Sequence, residues 1–149
     1  MLPDGCRLLK NKYEIAKLLL PMVPDYCESI KHKNSYEDVV KLMMDTENIQ
    51  SFVFMNDLDS IGFSTYMIST VVDEIYVHQC HGYFKPEYKE HAGKMYDLTK
   101  ILANGMKANK LTMGFFNKKL AKKFVDEFKK RNIDLNFLGY FYQANLPKE

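Results

Sequence analysis

The sequence predicts an α/β domain with a mixed, mostly antiparallel sheet flanked by helices. Residues 49–84 hold three segments rich in β-branched and aromatic residues, joined by the polar link NDLDS (56–60) and by Val71 and Val72. Residues 92–107 and 117–130 carry apolar residues at helical spacing, and the apolar segment 111–116 lies between them. A strand, a crossover helix and a further strand require one parallel pair. A chain of 149 residues suits one domain, residues 1–149.

One strand and two helices are predicted before residue 49. CRLLK (6–10) is a short apolar strand, and KYEIAKLLLPMV (12–23) is a helix with one apolar face. Pro21 and Pro24 predict that this helix stops or kinks beside them. The second helix covers about 36–47, with Val39, Val40 and Met43 on one face.

The remaining elements alternate in type. IQSFVFM (49–55) and IGFSTYMIST (61–70) form a hairpin across the polar link NDLDS, and DEIYVHQCHGYF (73–84) adds a third antiparallel strand. A helix of about 92–107, a doubly buried strand at 111–116, a helix capped by Asn117 and a strand at 135–146 follow. The predicted order is β-α-α-β-β-β-α-β-α-β.

Composition narrows the class of protein. Hydrophobic residues make up 46% and charged residues 27% of the chain, which argues against long disordered segments. No apolar run reaches the roughly 18 residues that a membrane span needs, and the N-terminus lacks an apolar core of signal-peptide length. Three cysteines without a CxxC pair indicate free thiols. We therefore expect a cytoplasmic location.

The charges are unevenly distributed. Residues 85–131 carry 13 basic and 5 acidic side chains, against 7 basic and 12 acidic in residues 1–84. A cationic region of this kind indicates an anionic ligand or the solvated faces of two helices. A nucleic-acid-binding module is a third reading, and it rests only on the lysines at 118, 119, 122, 123, 129 and 130.

Two segments carry a resemblance to a known family. GYFKPEYKEHAGKMY (82–96) resembles the strand end and pyrophosphate loop, commonly LYVxPEYRGxGxGxxL, of the GNAT superfamily of acetyl-CoA-dependent N-acetyltransferases. Pro86, Glu87 and Tyr88 match, and Lys89 takes the place of the residue that opens the loop. Glycines of the pattern are replaced at 90, 92 and 94, while Gly93 is shifted by one position.

The second segment, NKKLAKKFV (117–125), resembles the family's NxxAxxFY with one extra residue. The resemblance places Asn117 beside the pantetheine arm of the cofactor. It places Val125 where the family often has a tyrosine that protonates the leaving thiolate, and valine cannot donate a proton.

The resemblance implies a GNAT-like fold and acetyl-CoA as co-substrate, with direct transfer of the acetyl group to an amine of a protein or a small molecule. It implies that pantetheine lies in a gap between the fourth and fifth strands, against backbone groups of Tyr83, Phe84 and Lys85. The implied side-chain and loop contacts to the cofactor come from Lys89, His91, Gly93, Lys94 and Asn117.

The candidate general base is His78 or His81 on the fourth strand, because histidine has a suitable unperturbed pKa. Strict alternation places His78 and Cys80 on one face of the sheet and His81 on the other. The same alternation argues against a zinc site built from these three residues and His91, so no metal is expected.

An alternative function follows from the altered loop. Glycine lets backbone amides close on a diphosphate, and the side chains that replace it crowd that approach. The alternative is therefore a GNAT-fold protein that has lost catalysis and binds a protein partner. Compact, divergent proteins of this type occur in bacteriophage, so the resemblance also suggests a phage origin, with a structural or host-directed role.

Overall fold

A computed structural model of the chain describes residues 1–30, 36–115, 117–139 and 141–146. The strands in these ranges are β1 Cys6–Leu9, β2 Ile49–Asn56, β3 Asp59–Val71, β4 Glu74–Phe84, β5 Lys110–Met113, β6 Asn136–Phe137 and β7 Tyr142–Asn145. The α-helices are α1 Lys12–Leu18, α2 Val23–Ile30, α3 Tyr36–Met43, α4 Gly93–Gly105 and α5 Lys118–Lys129, and two 3-10 helices cover Leu20–Met22 and Pro86–His91. None of these helices is long and apolar enough to cross a membrane.

The strands of the described ranges form one sheet in the order β1-β2-β3-β4-β5-β7-β6. Among their pairings only β4–β5 is parallel, because α4 carries the chain from the end of one strand back to the start of the other. The other five pairs are antiparallel. This arrangement confirms the mixed, mostly antiparallel α/β fold that the sequence predicts.

Helices cover both faces of the sheet. Alternation along the strands sends Phe52 and Phe54 into the core beneath α4 and α5, and Val53 into the core beneath α1, α2 and α3. Tyr66 lies in the first core, where its hydroxyl is 2.6 Å from Thr99 Oγ1 of α4. The sheet is thus buried on both faces along β2 and the first half of β3, whereas most residues of β4, where the candidate site lies, are only partly buried.

The segment 12–30 holds two α-helices where the sequence predicts one. The chain turns through the 3-10 helix at Pro21, and α2 then begins at Val23 with Pro24 in its first turn. A proline in that position removes no helical hydrogen bond, because the first amide groups of a helix have no partner within it. The chain therefore turns beside Pro21, as the sequence predicts, and Pro24 lies in the first turn of a further helix that the sequence does not predict.

The predicted closing strand at 135–146 is two strands. β6 and β7 pair antiparallel with Phe137 opposite Tyr142. Gly139 lies between them with a φ of 97°, a conformation that glycine adopts without strain. The final predicted strand is therefore a short hairpin, and β7 is the member that pairs with β5.

Candidate active site

The candidate site is the place where the two parallel strands part. Pairing between β4 and β5 runs from Tyr76 opposite Lys110 to Gln79 opposite Met113, where β5 ends. β4 continues to Phe84 without a partner strand on this side in the described part of the chain. A cleft therefore opens between the second half of β4 and the chain that follows β5.

A β-bulge lies at the point where the cleft begins. Gln79 pairs with Tyr66 and His81 pairs with Thr65, so Cys80 is an extra residue in β4. The extra residue reverses the alternation of side chains beyond it. His78 and His81 therefore both face the side of α2, and the prediction that they lie on opposite faces was wrong.

The backbone beyond the bulge presents polar groups to the open edge. The amide of His81 donates to the side-chain oxygen of Thr65 at 3.1 Å, and the amide of Lys85 donates to Ile61 O at 2.8 Å, so both point toward β3. Because backbone groups of successive strand residues point to opposite edges, those of Gly82 and Phe84 face the cleft. Of the three backbone positions that the resemblance implies, Phe84 is the one turned toward the gap.

The cleft contains about 590 Å³ of space, including its opening to solvent. Its walls come from α2, from β4 around the bulge, and from the chain that enters α5. The lining residues are Tyr26, Ser29, Ile30, Gln79, Cys80, His81, Gly82, Met113, Gly114, Phe115, Asn117, Leu120 and Phe124. Of the predicted site residues, the cleft brings together His81 and Asn117.

His81 is held by Tyr26, a residue that the sequence analysis did not single out. The Tyr26 hydroxyl is 2.5 Å from His81 Nδ1, and the two rings meet edge to face with centres 5.3 Å apart. Burial and, to a smaller extent, the nearby His78 together lower the pKa of His81 to about 4. Burial also raises the pKa of Tyr26. Both side chains are therefore uncharged at neutral pH.

His78 lies one step before the cleft and does not line it. Its Nδ1 is 2.7 Å from Thr112 Oγ1 of β5, where the two strands are still paired. Burial lowers the pKa of this imidazole as well. Of the two candidate bases, His81 is the one that reaches the cleft.

Gln79 and Cys80 are two further β4 residues that line the cleft. Gln79 is 5% exposed, and its Nε2 donates to Ser64 Oγ at 3.0 Å, while its Oε1 has no hydrogen-bond partner among the described residues. Burial raises the pKa of the Cys80 thiol to about 11, although an amide from Met67 lowers it in part. Cys80 is therefore a neutral thiol at neutral pH and not an activated nucleophile.

The predicted pyrophosphate loop forms the 3-10 helix Pro86–His91. Its backbone is partly closed on itself, because Tyr88 donates to Lys85 O at 2.8 Å and Ala92 donates to Lys89 O at 3.1 Å. Lys89 is exposed, and His91 Nε2 lies 3.8 Å from Glu90 Oε1. This segment thus offers the Lys89 side chain to a phosphate group, but it has fewer unpaired backbone amides than an open glycine loop.

Helix α4 begins directly after this segment. Gly93 and Lys94 are its first two residues, and no side chain of the residue before them caps its N-terminus. The first amides of a helix carry a partial positive charge and can bind an anion. In α4 those of Gly93 and Lys94 are the candidates, because the amide of Met95 already donates to Ala92 O at 3.0 Å. A Cβ added at Gly93 would have the Arg131 guanidinium 3.5 Å away as its nearest neighbour, which is ordinary contact.

Helix α5 borders the opposite side of the cleft. Asn117 caps it, because its side-chain oxygen accepts from the amides of Lys119 at 2.8 Å and Leu120 at 3.2 Å, as the sequence predicts. Phe124 lines the cleft, whereas Val125 packs against the core beneath α4 and α5. Neither side chain can donate a proton to a leaving group.

No group of three or more His, Cys, Asp or Glu side chains that could hold a metal ion occurs in the described ranges. The candidate site is thus a cleft with hydrogen-bonding groups at the ends of two parallel strands, beside the start of the helix that joins them. Such an edge of an α/β sheet, next to a helix N-terminus, is a general position for binding an anionic ligand.

Several solved structures with this architecture are acetyltransferases. An acetyltransferase from Thermus thermophilus superposes with a TM-score of 0.68 at 15% identity, covering 99% of each chain. A GNAT-family acetyltransferase from Staphylococcus aureus gives 0.71 at 11% identity, covering 95% of this chain and 99% of the other. The PaiA N-acetyltransferase from Thermoplasma acidophilum, solved in complex with coenzyme A, gives 0.65 at 13% identity, with 95% and 99% covered.

The chain therefore has the GNAT fold. Neither a protein-family model nor a curated protein matches the sequence. The fold is thus established by three-dimensional similarity, and the residues of the cleft must carry any argument about activity.

Proposed function

We propose that the protein transfers the acetyl group of acetyl-CoA to an amine. The observation that carries this proposal is the cleft at the parting of β4 and β5, with unpaired backbone groups on β4 and the start of α4 beside it. The coenzyme A bound to the PaiA N-acetyltransferase, which shares the fold, supports the choice of ligand.

The residues present fit this ligand. Gln79 lines the cleft, and its amide oxygen is buried without a partner among the described residues, so a turn of the side chain toward the cleft would let this oxygen accept from the pantetheine amide N–H. Backbone groups of Gly82 and Phe84 would pair with the same arm as an added strand would. The amides at the start of α4, with Lys89 and Lys94, would meet the diphosphate. His91 and Lys85 belong to the same cationic segment.

The reaction is direct transfer. The amine nitrogen bonds to the acyl carbon, the carbon–sulfur bond breaks, and the proton that the amine loses goes to the sulfur directly or through water. The apolar walls at Phe115, Leu120 and Phe124 exclude bulk water from one side. Because Phe124 has no hydroxyl, the α5 wall of the cleft supplies no proton to the sulfur.

The first test is calorimetric titration of acetyl-CoA into the wild-type protein and the Lys89→Ala variant. We expect micromolar binding that Lys89→Ala weakens about threefold to tenfold, since it removes one exposed charge near the phosphates. Lys107→Ala is the matched control, because this exposed lysine lies past the opposite end of α4. If no binding is detected at millimolar acetyl-CoA, the proposed acetyltransferase activity is ruled out.

A second candidate is a GNAT-fold protein that has lost catalysis and binds a protein partner. The observation that favours it is the 3-10 helix Pro86–His91, whose side chains and internal hydrogen bonds occupy the place of an open phosphate loop. The same titration separates the two candidates, because a protein whose phosphate loop is occupied in this way would bind neither acetyl-CoA nor coenzyme A.

A further inference from the structure

We propose that Tyr26 is a positioning residue that fixes His81 as a hydrogen-bond donor to the acyl carbonyl oxygen. In this role His81 polarises the carbonyl and does not remove a proton from the amine. The inference rests on the proposed acetyl transfer and assigns a role to one pair of residues within it. Both side chains line the cleft, Tyr26 from α2 and His81 from β4.

The hydrogen-bond partners of Tyr26 decide which ring nitrogen of His81 carries the proton. Tyr26 is 5% exposed, and among the described residues its hydroxyl has only His81 Nδ1 as a partner. If Nδ1 carried the proton, the hydroxyl would accept, and its own proton would have no acceptor in that part of the chain. If the hydroxyl donates to Nδ1, both groups are satisfied and Nε2 carries the proton.

The surroundings hold the ring in this orientation. Tyr26 contacts the His81 ring edge to face at 79°, and Phe63 packs against Tyr26 with ring centres 5.3 Å apart. Because the two nitrogens lie on different sides of an imidazole ring, Nε2 points away from Tyr26. The titratable groups near the pair are Cys27 on α2 and His78, Cys80 and Tyr83 on β4, and the Tyr83 ring centre lies 5.8 Å from that of Tyr26.

The charge state of His81 suits a hydrogen-bond donor better than a general base. Burial lowers the pKa of His81 to about 4, so the ring is neutral at pH 7 and its conjugate acid is too strong to form by deprotonating an alkylammonium ion. A neutral imidazole with a proton on Nε2 can donate to an oxygen that gains negative charge as the amine attacks. His81 keeps its proton throughout the transfer.

The neutral state of His81 also indicates which class of amine can accept the acetyl group. With His81 acting as a donor and not as a base, the amine must arrive uncharged. At pH 7.5 roughly a third of an α-amino group with a pKa near 7.8 is neutral, against about 0.1% of a lysine with a pKa near 10.4. The acceptor class that fits is therefore an N-terminal α-amine of a peptide, or another weakly basic amine.

The first experiment reads the tautomer without any activity. In ¹⁵N-labelled protein, we expect the wild-type His81 to show an unprotonated Nδ1 and a protonated Nε2, and Tyr26→Phe to lose this preference. Tyr13→Phe is the matched control, because Tyr13 is 74% exposed on α1. A protonated Nδ1 in the wild-type protein would overturn the inference and leave the proposed acetyl transfer intact.

The second experiment separates a donor from a base. His81→Gln keeps an N–H donor, so we expect its kcat to stay within about tenfold of wild type, while His81→Leu falls about 100-fold or more. Tyr26→Phe should lower kcat about tenfold with an unchanged KM for acetyl-CoA. If His81→Gln is as inactive as His81→Leu, His81 is a base and the inference is overturned. A wild-type protein without transferase activity overturns the proposed function and the donor role together.

The third experiment tests the acceptor class at pH 7.5 with a dipeptide amide and an Nα-acetyl-lysine amide. We expect the α-amine to be acetylated at least about tenfold faster, because far more of it is neutral at this pH. A preference for the lysine side chain would overturn the assigned substrate class.

Discussion

Arg131 ties the end of α5 to the first turn of α4, so its replacement tests how the start of α4 is held. Its Nε donates to Asp97 Oδ1 at 2.7 Å, its Nη1 donates to Glu127 O at 2.9 Å, and its Nη2 donates to Gly93 O at 3.3 Å. The guanidinium carbon lies 5.3 Å from the centre of the Tyr96 ring. Arg131 Nη1 also lies 3.5 Å from Glu127 Oε1. Arg131→Met removes all five contacts and keeps most of the apolar stem.

The loss of stability in Arg131→Met depends on how exposed each partner of Arg131 is. The Asp97 side chain is 54% exposed, so this ion pair contributes at most about 1 kcal/mol. Each bond to a carbonyl oxygen contributes about 0.5–1.5 kcal/mol, and the ring contact about 0.5–1 kcal/mol. Water can replace part of these bonds in the variant. We therefore expect Arg131→Met to lower the free energy of unfolding by about 2 kcal/mol, and Tm by about 4–8 °C.

Urea unfolding followed by circular dichroism measures this difference. Arg7→Met is the matched control, because Arg7 is the only other arginine of the sequence and its side chain is 55% exposed, 3.4 Å from Glu14. We expect this control to change the free energy of unfolding by less than about 0.5 kcal/mol. Equal losses in the two variants would refute the reasoning, since the contacts of Arg131 would then add nothing to those of a surface ion pair.

Two further predictions use the same unfolding assay. Gly62→Ala should cost about 3 kcal/mol, because the new Cβ would lie 2.5 Å from the backbone oxygen of Tyr83. Gly82→Ala should cost about 1 kcal/mol, because its Cβ would meet the ends of two side chains, the Met95 sulfur and the Gln79 amide nitrogen. Equal costs would contradict this. The pKa of His81 is lowered to about 4, so between pH 6.5 and pH 4 the unfolded chain binds more protons than the folded chain does. The free energy of unfolding therefore has its full value above pH 6.5 and decreases by about 3 kcal/mol as the pH falls to 4. His81→Gln should flatten that fall, and an unchanged slope would show that the histidine is not buried in this way.

Much of the fold could be predicted because local signals agree with the tertiary structure. The apolar spacing of Ala121, Phe124 and Phe128 marks the buried face of α5, and Asn117 marks its start. The three strands between Ile49 and Phe84 differ from their predicted bounds by two residues or fewer. Alternation and turn chemistry are local properties, so a single sequence carries them.

The α2 wall of the cleft could not be predicted by the same reasoning. A proline predicts either the end of a helix or its first turn, and the choice depends on where the preceding chain leads. The predicted helix 12–23 stops or kinks near Pro21 and Pro24, so Tyr26 lies beyond it and is not predicted on a helix that faces β4. Its partner His81 was named from its chemistry alone, without the hydroxyl that determines its tautomer.

The bulge at Cys80 had the largest effect on the site, and it has no local signal. A bulge arises when two strands of unequal length must stay paired, which is a property of both strands and not of β4 alone. It changes the alternation for every residue after it, so His81 turns from the expected face to that of Tyr26, and Gly82 presents its backbone to the gap. Without the extra residue His81 would point into the core beneath α4 and α5. The bulge that changes the predicted alternation of β4 therefore also brings His81 to Tyr26 in the candidate site.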